Sequence, residues 1–272
     1  AIAELTFLFS MLVPYSRLMR NPTIKSEIKD KQLGENYPFG FLLYPIGQIA
    51  DILAFRPDVV PVGEDQIPYL EMTRDVARKF NQLYCDVDTQ IADKDVLQAG
   101  GILPIVDYKL GRVKRLVGTQ GPDQDGNLLK MSKSLNNSIL LSDDAAAVKK
   151  KVMSMYTDPT RLRASDPGTV ENNPLWIFHD AFNKDLEWLE DTKERYRKGA
   201  VGDVECKKKL IEVLNEFLEP MRERRLQFEG KGDLLLDVLK DGTKQANLIA
   251  EKTLYEVKQK ISQDLGMRNL NY

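Results

Sequence analysis

Val59-Val60-Pro61-Val62-Gly63-Glu64-Asp65-Gln66 is a short apolar run closed by glycine and followed by two carboxylates. Its length and valine content predict a buried strand of a parallel sheet, with Pro61 interrupting the hydrogen-bond ladder. A helix from about Gln66 to Leu83 follows at once. Strand, tight turn and helix in that order form the unit of α/β folds, whose ligands gather at the carboxyl ends of the strands.

Upstream, Tyr44 to Phe55 reads as a helix, because Ile46, Ile49, Ala50 and Leu53 recur at helical spacing. Residues 1 to 20 read as another, ended by Asn21-Pro22, since the residue before proline is pushed out of the α region. The polar stretch from there to Asn36 reads as a loop. Downstream, Gln98 to Lys130 is glycine-rich and irregular, with Val113 to Val117 as a candidate strand and Gly118 to Asn127 as a flexible tongue. Ser142-Asp143-Asp144 can cap a helix bearing Val148, Val152, Met155 and Tyr156. Beyond it no strand pattern occurs. Leu210, Leu214, Phe217, Leu218 and Met221 mark one amphipathic helix, and Ala246, Ile249, Ala250, Leu254, Val257 and Ile261 mark another. The expected organisation is an α/β domain over residues 1–140 and an all-α domain over 141–272.

With 272 residues, 42% hydrophobic and 29% charged, the chain has core enough for one large domain and a smaller one. Its net charge of −2, from 39 basic and 41 acidic side chains, gives no global field for nucleic acid. Local clusters remain at Lys149-Lys150-Lys151, Lys207-Lys208-Lys209, and Arg222 with Arg224 and Arg225, each reading on its own as a solvated helix face. Cys85 and Cys206 have no Cys-x-x-Cys or Cys/His neighbours, which suggests neither disulfide nor zinc and fits a reducing cytoplasm. The sole histidine, His179, removes most Ser/His/Asp, Cys/His and two-histidine metal mechanisms, and reads as a packed helical residue. Leu5 to Val13 is too short to span a bilayer and lacks the basic flank of a signal peptide, so no membrane association is expected.

The feature richest in chemistry is Lys130-Met131-Ser132-Lys133-Ser134, two lysines three apart with hydroxyls around them, entered from a Gly/Asp/Asn-rich loop. Such a segment can fold its ammonium groups onto a polyphosphate and stabilise charge developing on departing pyrophosphate. A solvated basic loop is the bland alternative. Gly63 permits close backbone approach to a ligand, and Asp65 can accept hydrogen bonds from ribose hydroxyls. Alternatively, Glu64 and Asp65 only favour the positive helix N-terminus, worth about 0.3–1 kcal/mol.

The pentapeptide matches the KMSKS signature of class I aminoacyl-tRNA synthetases. Together with Ala50-Asp51-Ile52-Leu53, Val59 through Gln66, Thr73-Arg74-Asp75, Arg78-Lys79-Phe80-Asn81 and Asp241-Gly242-Thr243-Lys244-Gln245-Ala246, nearly the whole chain resembles the tryptophanyl-tRNA synthetase family. The resemblance implies the C-terminal part of a Rossmann-type parallel-sheet catalytic domain, ending in the pentapeptide loop, followed by a helical anticodon-binding domain. Residue by residue, it implies that Asp51 accepts the indole N–H of tryptophan and that Tyr44 and Gln66 lie near the amino-acid ammonium group. Gln48 shares the face of Tyr44 and Asp51. Val60 and Val62 would line the ring pocket, Gly63, Glu64 and Asp65 would hold the ATP ribose, and Val113 would pack near adenine. Lys130, Met131, Ser132, Lys133 and Ser134 would close over the phosphates, with Lys130 and Lys133 as the catalytic charges. Lys25 matches a family lysine that approaches pyrophosphate. Mg²⁺ is expected to arrive with ATP rather than on a protein metal site. The implied partners are L-tryptophan, tRNA(Trp) and a second copy of the chain, with the Leu5 to Val13 helix reading equally as a dimer surface or as a core helix of the monomer.

Two departures qualify the match. Gln48 stands where many tryptophanyl enzymes carry an apolar residue, often methionine, and Tyr44-x-x-x-Gln48-x-x-Asp51 is also the pattern of tyrosyl enzymes. A tyrosine–tRNA ligase is therefore one alternative, and a non-catalytic synthetase-like paralogue that binds tRNA or protein is another. Gly63 through Gln66 and the helical tail favour tryptophan. The family also needs a HIGH-type motif in an N-terminal strand-turn-helix, and His179 stands in the wrong half to supply it. The chain is accordingly expected to be an N-terminally truncated portion that does not activate tryptophan alone.

Overall fold

The computed structural model describes residues 1–30, 32–34, 36–113, 116–132, 135–163 and 165–264. It divides into two packing units, Ala1–Gly111 with Asp233–Tyr272, and Arg112–Gly232. This division differs from the 1–140/141–272 split read from sequence. Met131 of the pentapeptide packs with the helices that follow it, and the last helix packs on the first unit.

The first unit opens with α1 (Ile2–Ser10), α2 (Tyr15–Met19) and α3 (Pro22–Asp30). Instead of one helix over residues 1–20 there are two, because Pro14 sits extended at φ −64°, ψ 144° and restricts Val13 before it. The polar stretch read as a loop is largely α3. Proline at the first helical position lacks only an N–H that no helical partner would take. Asn21 Oδ1 accepts the Thr23 N–H at 2.9 Å, and fully buried Ile24 anchors the helix to the core.

Helix α4 (Phe39–Leu53) buries the expected stripe of Ile46, Ile49, Ala50 and Leu53. Strand β1 (Val59–Val62) then leads into a 3-10 turn, Glu64–Gln66, and helix α5 (Ile67–Tyr84). The partner strand is β2 (Asp107–Leu110), parallel to β1 with Val60 opposite Tyr108 and Val62 opposite Leu110. The strand expected at Val113 to Val117 falls partly outside the described residues; of those described, Val117 forms an isolated antiparallel bridge to Lys130. Asp107-Tyr108-Lys109-Leu110 alternates polar and apolar residues, as befits a strand with one face on the core. Asn81 of α5 fastens the crossover. Its Nδ2 donates to the Leu103 carbonyl at 2.7 Å, while its Oδ1 accepts from the Ile102 and Leu103 amides at 2.9 and 3.2 Å.

The second unit holds α6 (Ala145–Met153), α7 (Pro174–Phe182), α8 (Leu186–Arg197) and α9 (Asp203–Leu226) around Trp176, Phe178, Tyr196 and Leu210. Asp144 caps α6 as its sequence predicts, accepting the Ala147 N–H at 2.7 Å. Lys207 is not on a solvated face. It is buried, and its Nζ donates to the carbonyls of Met153 and Met155 at 3.2 and 2.6 Å and to Thr157 Oγ1 at 2.8 Å, where the end of α6 leaves carbonyls unpaired. The chain then returns to the first unit through α10 (Gly232–Lys260), whose Ala250, Thr253, Leu254 and Val257 are buried and whose Thr253 hydroxyl donates to the Ala54 carbonyl at 2.8 Å. Among the described residues no helix is long and apolar enough to cross a membrane.

His179 is fully buried, with Nε2 3.0 Å from the Cys206 carbonyl, and burial pulls its pKa down from 6.5 to about 4. The unfolded chain therefore takes up the proton first, and stability falls as pH drops from 6.5 toward 4. Urea unfolding should show a loss of about 1 kcal/mol per pH unit from this group, and His179→Gln should flatten the profile between pH 6.5 and 4.5. Parallel profiles for the two proteins would contradict it.

Candidate functional site

Helix α4 presents Tyr44, Gln48 and Asp51 at spacings of four and three, so one face carries all three. The Tyr44 hydroxyl lies 2.7 Å from the hydroxyl of Tyr69, a buried residue of α5. Gln48 Nε2 donates to Gln66 Oε1 at 2.9 Å, and Gln66 Nε2 donates to Asp65 Oδ2 at 3.0 Å. One polar network therefore joins α4 to the segment where β1 turns into α5. Burial, the Tyr69 contact and the charge of Glu27 on α3 raise the Tyr44 pKa, so its hydroxyl stays neutral. Tyr69 is also raised, chiefly by burial. Sequence reasoning missed Tyr69. Its signal was a hydroxylated aromatic in helical register with the buried Met72, Val76 and Phe80 of α5.

Asp51 is exposed and, among the described residues, has no hydrogen-bond or ion-pair partner; nearby protein mass raises its carboxyl pKa through desolvation. An acceptor left unspent beside an aromatic and amide cluster is what a ligand N–H requires. Val60 and Val62 are half-buried and packed against the core, while Val59 and Pro61 face outward. Gly63 is extended at φ −81°, ψ 163°, a conformation open to any residue, so local backbone geometry does not demand glycine there. Glu64 and Asp65 are exposed in the 3-10 turn that opens α5. Lys25 is exposed on α3.

The other predicted residues belong to the second unit. Lys130 pairs with Val117, and the Gly118 N–H donates to the Leu129 carbonyl at 2.9 Å. Lys130 is exposed, whereas Met131 and Ser132 are half-buried; Lys133 and Ser134 lie outside the described residues. The segment hangs on Asn137, which is fully buried. Its Oδ1 accepts the Ser132 N–H at 2.7 Å, its Nδ2 donates to the Lys130 carbonyl at 3.1 Å, and its own carbonyl accepts the Thr119 N–H at 2.8 Å. A side chain at Gly118 would run into that amide, which accounts for glycine there. Val113 is exposed in the same unit. His179 takes no part in either cluster.

The chain as a whole matches known proteins. The model of class I tRNA synthetases (W and Y) fits residues 1–219. A tryptophan–tRNA ligase of Streptococcus pneumoniae is 45% identical over 260 residues, covering 94% of this chain and 71% of its own length. The chain belongs to the tryptophan–tRNA ligases. A second such ligase, from Clostridium longisporum, is 44% identical over 258 residues, spanning 95% of this chain and 70% of the relative. Among solved structures, tryptophanyl-tRNA synthetase from Campylobacter jejuni, complexed with ADP and tryptophan, is similar with 28% identity and a TM-score of 0.66, covering 96% of this chain and 73% of that one. The tryptophan–tRNA ligase family thus accommodates glutamine at position 48, and the tyrosine alternative falls.

For this tryptophan–tRNA ligase family member, Asn137→Ala should cost about 2 kcal/mol in chemical unfolding, because the Ser132 N–H and the Lys130 carbonyl both lose their partner. The Ser132 amide should also exchange hydrogen faster; unchanged protection would show that Asn137 does not hold the segment.

Proposed function

We propose that the first unit binds tryptophan through Tyr44, Gln48, Asp51, Val60, Val62 and Gln66, and that the chain serves ATP-dependent activation of tryptophan and its transfer to tRNA(Trp). The observation that carries this reading is the pairing of an unspent carboxylate, Asp51, with the hydrogen-bonded Tyr44–Tyr69 and Gln48–Gln66–Asp65 network on one side of α4 and α5. The indole N–H goes to Asp51 and the α-ammonium group to the oxygens of Tyr44 and Gln66. Gly63, Glu64 and Asp65 take the ATP ribose, Val113 packs near adenine, and Lys130, Met131, Ser132, Lys133 and Ser134 take the phosphates. Lys25 approaches the pyrophosphate.

The chemistry follows from charge. As the tryptophan carboxylate attacks the α-phosphorus, negative charge moves toward the leaving pyrophosphate, and the Lys130 and Lys133 ammonium groups stabilise it there. Mg²⁺ would arrive with ATP and help neutralise charge on the phosphates. The helices after residue 140 meet the anticodon region of the tRNA, and α1 with the residue that ends it, where Phe7 and Met11 are 63% and 66% exposed, supplies a homodimer surface. The cytoplasm is where tRNA charging takes place.

Calorimetry tests the amino-acid site directly: the chain should bind tryptophan and ignore tyrosine. Asp51→Ala should reduce by about 10- to 100-fold the preference for tryptophan over its benzothiophene analogue, which lacks the ring N–H. An unchanged preference removes Asp51 from the site. In ATP–pyrophosphate exchange by the full-length protein, Lys130→Ala should lower kcat about 100-fold with little change in the KM for tryptophan. A chain that binds tRNA but neither tryptophan nor ATP would instead be a non-catalytic paralogue.

A further inference from the structure

Gln66 has a side-chain amide with two chemically opposite ends, and its value to a cationic group depends on which end faces the ligand. An ammonium group donates only, so it needs the oxygen. Two neighbours decide the matter. The Asp65 carboxylate accepts only, and it lies 3.0 Å from one end of the amide, which must therefore be Nε2. Turning the amide over would set oxygen against carboxylate oxygen and forfeit a charge-assisted hydrogen bond. At the other end Gln48 Nε2 donates to Oε1 at 2.9 Å, which occupies one lone pair and leaves the second for a ligand.

We propose that Gln48 is a positioning residue: with Asp65 it clamps the Gln66 amide so that Oε1 is presented to the α-ammonium group of the amino-acid substrate. This rests on the reading above that Gln66 lies beside that group. Gln48 itself does not bind the ammonium. Its place on α4, one turn from Tyr44 and one turn from Asp51, lets a single helix fix the phenol and carboxylate directly and the amide at one remove. The same clamp ties the amino-acid site to Asp65, so the group assigned to the ATP ribose and the group assigned to the ammonium share one hydrogen bond.

The test compares tryptophan with indole-3-propionate, which keeps the ring and carboxylate but lacks the ammonium group. In calorimetry on the intact protein, Gln48→Leu should weaken tryptophan about three- to tenfold and leave indole-3-propionate unchanged. In a Gln66→Leu background, Gln48→Leu should have no further effect on tryptophan, because its target is gone. Binding of indole-3-propionate reports that each variant is folded. Equal weakening of both ligands, no weakening of either, or a persisting effect of Gln48→Leu in the Gln66→Leu background would each overturn the proposal. A wild-type chain that binds neither ligand would overturn the tryptophan reading itself.

Discussion

The parallel pairing of Val59–Val62 with Asp107–Leu110 is the constraint on which the first unit depends. Parallel neighbours cannot be joined by a tight turn, so the chain must leave the end of β1, cross over and return in the same direction. That requirement places a turn and a helix N-terminus directly after Val62, where Gly63 through Gln66 stand, and it makes α5 the crossover helix. The return is fixed by Asn81, whose amide meets three backbone groups of the Ile102–Leu103 segment that would otherwise be buried unpaired. The polar network of α4 and α5 exists because the crossover sets Gln66 and Tyr69 beside Tyr44 and Gln48.

Much of this was legible in the sequence. The strand at Val59, the helix after Gln66, the stripe of α4 and the Asp144 cap all follow from local rules, because each is decided by periodicity or by a single polar side chain at a helix end. What escaped was decided by tertiary contact. The mate of β1 has one polar face and lacks a run of valines, so Asp107–Leu110 could be found only through its partner. Helix α3 carries so many charges that only Pro22 and the buried Ile24 mark it, and a break at Pro14 is invisible to hydrophobic spacing that continues through it.

The candidate site divides in the same way. Residue types announced themselves: an aspartate on an apolar helix, carboxylates after a glycine turn, paired lysines in a loop. Their supports did not. Tyr69 and Asn137 act by burial, and burial is a property of the folded chain. Asn137 looked like one more polar residue after the pentapeptide, yet it satisfies both the Ser132 amide and the Lys130 carbonyl, so the segment's shape is set by a side chain outside the motif. Lys207 errs in the opposite direction: a lysine cluster suggests a solvated face, but carbonyls at the end of α6 recruit one of its members inward.

Gln48 shows why a departure from a family pattern need not be a loss. An apolar residue at this position would leave the Gln66 amide to be held from the Asp65 side alone. A glutamine gives that amide a second fixed point. Two anchors remove the rotation that one permits, and an acceptor already oriented before the ligand arrives costs less to order on binding. Under the proposed function the aromatic ring would be left to Val60, Val62 and Asp51, so that head group and side chain would be recognised by separate sets of residues.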